Sequence, residues 1–300
     1  MKIVIHGGAG EDSLFLQRHQ KEYSNALHEI ICKAQELLLK GRSAVEVVRE
    51  AVVMLEDNPL FNAGRGSALT ADGNIEMDAA IMDGSTKSAG GVTLITNARN
   101  PIRVADTVRR RSPHMLLGGV GADRFATENG LVTADLDYFI TPHQRDFWEQ
   151  QKQETAVNDH LKGTVGAVAV DLRGNVAAAT STGGITGKRA GRIGDSCIVG
   201  AGVYADNDTC AVSGTGDGEI LMGQLTAFQV ANQLNRSAAD LQAVCELIVM
   251  NASQQRGDVG IIAVSSDGQI GLAFNSERMP RAWIDDNGKA CVAIYRQVLK

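Results

Sequence analysis

The chain has 300 residues, of which 44% are apolar and 21% charged, and it carries a formal net charge of -6. This composition describes a soluble globular protein able to bury a substantial core as one or two domains. The acidic balance leaves no electrostatic footprint for nucleic acid or an acidic membrane, so a small-molecule substrate is the default expectation.

Met1 to His6 runs straight into an alternating strand with no long apolar segment ahead of it, and no later stretch reaches the length of a membrane span. The expectation is a cytoplasmic protein with no membrane and no nucleic-acid partner. Cys32, Cys197, Cys210, Cys245 and Cys291 are scattered and contain no CxxC pair, which suits reduced, mostly buried thiols. His6, His19, His28, His114, His143 and His160 lack metal-ligand spacing and read as surface or satisfied core residues. The first strand leads into Gly7-Gly8-Ala9-Gly10, either a tight turn or a loop that brings backbone close to a site.

Apolar residues recur at helical spacing from about Glu22 to Leu39, with Gly41 as a stop. A second helix opens at Ser43, with Glu46 three residues on as a capping box. The loop from Leu55 to Gly66 breaks that helix at Pro59 and exposes many carbonyls, which either meet water or gather on a hard cation. Strands are predicted at Ile75 to Met82 and Gly91 to Thr96, and helices at Pro101 to Arg111 and Gly121 to Asn129. The Arg109-Arg110-Arg111 run reads as a solvated helix end. Thr141 to Gly163 is polar, with Phe147 and Trp148 as its few apolar anchors, and reads as a long surface loop or a mobile tether over about 150–163.

At Gly163-Thr164 the polar segment gives way to a small-residue strand. A threonine at a new N-terminus carries its own base, because a free α-amine titrates near ~8 against ~10.4 for lysine. Gly163 suits a scissile position, since a residue without Cβ tolerates strained backbone. The alternative is that Gly-Thr opens an ordinary strand. The hairpin from Gly163 to Val176 is repeated from Gly257 to Ile270, with turns closed by Gly174 and Gly268 and with Asp258 in place of the threonine. The hairpin is therefore structural, and its first copy alone carries candidate chemistry.

Thr180 to Ser196 is dense in glycine, and Arg192 and Asp195 place opposite charges on one short loop. A guanidinium grips a carboxylate and a carboxylate grips an ammonium, so the pair would fit the charged ends of a free α-amino acid; a bare surface salt bridge is the alternative. Gly187-Lys188 fails the P-loop pattern, because Arg189 follows the lysine and Thr182 stands at the first glycine position. Cys210 to Ser213 is a predicted strand entering Gly214-Thr215-Gly216-Asp217-Gly218-Glu219, then one long helix through Phe228. Such a turn presents N–H groups to developing negative charge. A helix capped by Ser237 with Asp240, the second hairpin and a closing strand at Cys291 to Tyr295 complete the chain.

In this order, Ile5-His6-Gly7-Gly8-Ala9-Gly10, Pro59-Leu60-Phe61-Asn62-Ala63-Gly64, Gly163-Thr164-Val165-Gly166-Ala167-Val168, Thr180-Ser181-Thr182-Gly183-Gly184, Gly191-Arg192-Ile193-Gly194-Asp195-Ser196 and Gly214-Thr215-Gly216-Asp217-Gly218-Glu219 resemble the plant-type (type III) L-asparaginase and isoaspartyl aminopeptidase family of N-terminal-nucleophile hydrolases. The resemblance implies an α/β fold, a four-layer αββα sandwich over residues 1–300, cleaved by itself into 1–163 and 164–300, the pieces staying together as a dimer of αβ units. By position, Thr164 is nucleophile and base, Thr182 bonds its hydroxyl, and Asn62 orients it. Arg192 holds the substrate α-carboxylate and Asp195 the α-ammonium, with Gly216 and Gly218 completing the pocket; Thr215 and the Gly216 N–H form the oxyanion hole. The family needs no catalytic cofactor. Main-chain carbonyls of Leu55, Glu56, Asn58, Phe61, Ala63 and Arg65 match its structural sodium loop, where Arg65 replaces an apolar residue. The implied substrates are asparagine and β-aspartyl dipeptides; a glycosylasparaginase-like amidase and an uncleaved binding protein are the alternatives.

Overall fold

The computed structural model of the chain describes residues 1–153, 163–237, 239–254 and 257–296. Its strands are β1 (Lys2–His6), β2 (Met77–Asp83), β3 (Ser88–Ile95), β4 (Leu116–Gly118), β5 (Val165–Val170), β6 (Val176–Thr182), β7 (Val203–Ala205), β8 (Cys210–Gly216), β9 (Val259–Ser265), β10 (Ile270–Phe274), β11 (Arg278–Ile284) and β12 (Ala290–Tyr295). Eight of them form one sheet in the order β12-β11-β1-β5-β6-β2-β3-β4, and four form a second in the order β10-β9-β8-β7. The helices are α1 (Leu14–Arg18), α2 (Gln20–Leu39), α3 (Ala44–Glu56), α4 (Pro101–Arg111), α5 (Gly119–Glu128), α6 (Leu136–Phe139), α7 (Pro142–Gln153), α8 (Gly218–Gln224), α9 (Thr226–Arg236) and α10 (Leu241–Ser253).

Side-chain alternation along the strands builds the layers. Val165, Ala167 and Ala169 of β5 pack with Leu27 and Ile31 of α2 and Val47 and Val48 of α3. Val168 and Val170 point the other way and meet Ile262 and Val264 of β9 between the sheets. Ile261 and Ala263 of β9 then face Val230 of α9 and Val244 of α10. The result is the expected αββα order, with both faces of the central strands buried; this is why β5 and most of β9 read as apolar runs. Both predicted hairpins form, with Gly174 and Gly268 in the left-handed region (φ +79° and +93°).

Several local expectations need correction. The segment before the Gly-Thr pair is not loop throughout: α7 runs to Gln153, so 150–153 is helical, and the rest of the expected tether, 154–162, lies outside the described residues. Its anchors are few but large. The Trp148 indole N–H donates to the Thr70 carbonyl at 2.8 Å, and its ring closes on Gly73; His143 stacks on Phe15 at 3.5 Å. The long helix predicted beyond Glu219 is broken at Leu225 (φ +51°), because the N–H groups of Ala227 and Phe228 take the carbonyls of Ala201 and Gly200. β8 continues through Thr215 and Gly216, which pair with Gly260 and Val259, so only Asp217 is left as turn. Asp240, not Ser237, caps α10, accepting from the Ala243 N–H at 2.8 Å. The arginine run is not simply solvated: Arg109, Arg110 and Arg49 all pair with buried Asp106.

The antiparallel register brings the carboxyl ends of β1, β6 and β8 and the amino ends of β5 and β2 to one end of the sandwich, where His6 opposes Gly166 and Asp78 opposes Thr182. Trp148→Ala is expected to lower stability by about 2–4 kcal/mol, as for large aromatic truncations, and to speed tryptic cutting at Arg145 and Lys152. Unchanged melting and cutting would show that α7 is held by other contacts.

Candidate active site

Thr164 stands at the mouth of β5 and is 6% exposed. Its Oγ1 donates to Thr182 Oγ1 at 3.3 Å. The Thr182 hydroxyl in turn donates to the Gly163 carbonyl at 3.1 Å and accepts the Gly184 N–H at 2.9 Å. The Gly163 carbonyl receives a second bond, 2.9 Å long, from the Asn62 side-chain amide. That amide is itself fixed by the Gly184 carbonyl at 2.6 Å and by the Ala68 N–H on its oxygen at 2.7 Å. Gly8 packs against the same peptide: with φ at +104°, a Cβ there would stand 2.7 Å from Gly163 Cα, so this glycine is required by close approach.

Gly163, Thr164, Thr182, Gly184, Ile185, Arg192, Gly194, Asp195 and Gly216 line one narrow pocket. The structure thus brings together the two threonines, the charged loop and the end of β8. Gly218 backs the charged pair, since a Cβ there would lie 2.9 Å from both Arg192 Nη2 and Asp195 Oδ1. Thr215 Oγ1 accepts the Ala9 N–H at 3.0 Å, which leaves its own proton to donate. Gly216 has φ +121° and abuts the Asp258 carbonyl, so no side chain fits.

Arg192 and Asp195 do not pair directly. The guanidinium makes a two-point bond to Glu219, with Nε to Oε1 at 3.0 Å and Nη2 to Oε2 at 2.9 Å. Asp195 is 4% exposed, and its Oδ2 is buried without a hydrogen-bond partner among the described residues. Desolvation pushes its carboxyl up to about 7, against the pull of Arg192 and with the push of Asp78 and Glu219. A buried carboxyl with an unmatched oxygen fits an incoming ammonium.

The loop that carries the expected cation ligands Leu55, Glu56, Asn58, Phe61, Ala63 and Arg65 doubles back at Gly64 and Gly66, with φ +54° and +103°. A Cβ on Gly66 would meet the Phe61 carbonyl at 2.6 Å and the Pro59 carbonyl at 2.9 Å. The carbonyls of Leu55, Asn58 and Glu56 accept the N–H groups of Asn58, Phe61 and Arg65, which leaves each a second lone pair. Arg65 turns its guanidinium over the Tyr138 ring at 5.7 Å, so its side chain need not alter the loop's carbonyls. Main-chain carbonyl oxygens of this kind are the donor type that a hard monovalent cation such as sodium takes.

Sequence reasoning treated His6 as an ordinary core or surface residue. The structure buries it beside β5, the strand that follows Thr164, with Nε2 2.8 Å from Ser213 Oγ, and burial lowers its pKa to about 3, keeping the ring neutral. The signal was its place directly before Gly7-Gly8. Glu219 was also missed; it is the second residue of α8, in its first turn after Gly218. The thiols behave as expected: Cys197, Cys210 and Cys245 are buried, and desolvation pushes Cys210 up to about 12. Among the described residues no group of three or more His, Cys, Asp or Glu could hold a metal, and no helix is long and apolar enough to cross a membrane.

Four layers with a threonine-led strand at the pocket place the chain in the N-terminal-nucleophile hydrolase class. The family model described as asparaginase matches residues 1–294, and the chain belongs to that family. It is 44% identical to an isoaspartyl peptidase of Salmonella typhimurium, over 98% of this chain and 98% of that protein. It is 42% identical to an isoaspartyl peptidase of Escherichia coli, over 98% and 96%. It is 39% identical to an isoaspartyl peptidase/L-asparaginase of Xenopus laevis, over 95% and 92%.

The raised carboxyl has a stability consequence. Unfolded, Asp195 ionises near its ordinary 3.8; folded, it keeps its proton to about 7. The folded state therefore binds the extra proton, and the contribution of this group to stability is lost as pH rises through that window. Asp195→Asn, which cannot ionise, should gain stability relative to the wild type between pH 4 and pH 8 in paired urea titrations. An equal difference at both pH values would contradict a raised Asp195.

Proposed function

We propose that the chain is an autoprocessing threonine hydrolase that cuts its own Gly163–Thr164 peptide and then hydrolyses the side-chain amide of L-asparagine and the isopeptide bond of β-aspartyl dipeptides. The observation that carries this reading is the Thr182 hydroxyl, which accepts from Thr164 Oγ1 while donating to the Gly163 carbonyl. Attack of Thr164 Oγ1 on that carbonyl would place developing negative charge on an oxygen already bonded by Thr182 and the Asn62 amide. The carbon–nitrogen bond then breaks as the Thr164 nitrogen takes a proton, and Gly163 is left as an ester on Thr164. Water hydrolyses the ester and frees the Gly163 carboxylate and the Thr164 α-amine.

The pieces would stay together without a covalent link. β1 lies between β11 and β5, and β6 pairs with β2, so strands from 1–163 and 164–300 alternate within one sheet. In the cleaved protein the α-amine is the base for the adjacent hydroxyl. Arg192 would take the substrate α-carboxylate and Asp195 its α-ammonium, which aims the side-chain carbonyl at Thr164. The Thr215 hydroxyl and the Gly216 N–H would receive the negative charge. Ammonia or an amino acid leaves with the amine's proton, and water releases aspartate from Thr164. Sodium in the loop 55–65 would brace the chain leading to Asn62; its part is structural. The relatives' names, isoaspartyl peptidase and isoaspartyl peptidase/L-asparaginase, support this substrate class.

Purified protein should release ammonia from asparagine and free amino acid from a β-aspartyl dipeptide. Thr215→Val should lower both turnovers by about 10²- to 10³-fold, the cost of an oxyanion donor. Cleavage before Thr164 should continue, because Thr215 makes no bond to the Gly163 carbonyl. Undiminished turnover in fully cleaved Thr215→Val would exclude this role.

A further inference from the structure

Arg192 and Asp195 sit on a glycine-rich loop, and a loop of that composition does not hold two charges at a fixed separation by itself. Its support comes from the amino end of β2, where Asp78 is the second residue of the strand and Glu76 immediately precedes it. The Glu76 carboxylate accepts the Gly191 N–H at 2.8 Å, and Asp78 Oδ2 accepts the Gly194 N–H at 3.0 Å. These two amides flank Arg192 on either side. Lys188, 5% exposed, ties the start of the same loop to the residue ahead of β2 by donating to the Glu76 carbonyl.

Asp78 is fully buried and is locked from behind. Its Oδ1 accepts the Thr93 hydroxyl at 2.6 Å and the Leu94 N–H at 3.1 Å. Leu94 has φ +52°, a left-handed backbone that costs a leucine energy and persists because its surroundings impose it. The β2–β3 register shifts at this point, between Met77 and Ala79. A Cβ on Gly194 would stand 3.2 Å from Arg192 Nη1 and 3.7 Å from Asp78 Oδ2, so both charged groups come close to Gly194. Asp78 is also the cross-strand partner of Thr182, the residue that holds Thr164.

We infer that Glu76 and Asp78 form a two-carboxylate clamp that sets the Arg192–Asp195 spacing and so determines how tightly the pocket grips the charged α-end of its substrate. Neither carboxylate touches substrate; both act as positioning residues through the Gly191 and Gly194 amides. The inference rests on the proposed roles of Arg192 and Asp195. Asp78→Asn tests it with little change of shape. Thr93 and Leu94 together require the oxygen of an asparagine, so its NH₂ would face the Gly194 N–H, donor against donor.

The expected result is a KM for asparagine and for a β-aspartyl dipeptide raised about ten- to hundredfold, the cost of one lost buried hydrogen bond to a charged group. The rate of cleavage before Thr164 and the kcat should stay near wild type. Glu76→Gln, at a more open site, should move KM in the same direction by less and guards against failure of Asp78→Asn to fold. In an Arg192→Ala background either substitution should add little further loss, since both act through that loop. Affinity for L-aspartate, measured by calorimetry, should fall in parallel; it reads the clamp without turnover, so failure of the clamp is separable from failure of the hydrolase reading. An unchanged KM and aspartate affinity, additive losses with Arg192→Ala, or a raised KM accompanied by equal losses of kcat and self-cleavage would each overturn the clamp.

Discussion

The site depends on one hydroxyl. Thr182 has a single proton and two lone pairs, and all three are in use: the proton on the Gly163 carbonyl, the lone pairs on the Gly184 N–H and the Thr164 hydroxyl. This fixes the direction of every bond around it. Thr164 Oγ1 must donate toward Thr182, which leaves its own lone pairs free for a carbonyl carbon. The surrounding fold exists to keep that alignment. Alanine, glycine and valine fill β5, small residues ending in Thr180-Ser181-Thr182 fill β6, the strands pair residue by residue, and Val165 lies opposite Ser181. Close packing transmits such placement with little slack.

Electrostatics complements the alignment. The pocket is prepared with a buried carboxyl that lacks a partner for one oxygen and with a guanidinium already matched by Glu219. A neutral Asp195 avoids most of the desolvation cost of a buried charge, and an arriving ammonium would restore the ionised form. Glu219 keeps Arg192 oriented while leaving Nη1 out of their bond. On the proposed roles of these two residues, binding energy would be concentrated at the α-end of the substrate, the end that is common to asparagine and to every β-aspartyl peptide.

Much of this was legible in the sequence because it rests on local rules. Period-2 alternation and glycine turns revealed both hairpins, the capping box at Ser43 opened α3, and motif order located Thr164, Thr182, Arg192 and Asp195 in what proves to be one pocket. Contacts distant in sequence were not legible. Trp148 anchors a helix formed by a polar stretch by reaching Thr70, a contact composition does not reveal. The break at Leu225 follows from carbonyls of residues 200 and 201. Arg192 bonds Glu219, 27 residues away, rather than its near neighbour Asp195. By sequence Asp78 is one more position in an alternating strand; its bonds to Thr93, Leu94 and Gly194 arise only from the fold.

The central claim is that Thr164 makes itself the N-terminus of a strand and then serves as the nucleophile. Intact mass and a denaturing gel on freshly purified wild type and Thr164→Ala, followed over days, test it most directly. Two fragments meeting between Gly163 and Thr164 in the wild type, with Thr164→Ala remaining a single chain, are the expected result. A wild type that stays whole while hydrolysing asparagine, or a Thr164→Ala chain that is cut at the same bond, would contradict it.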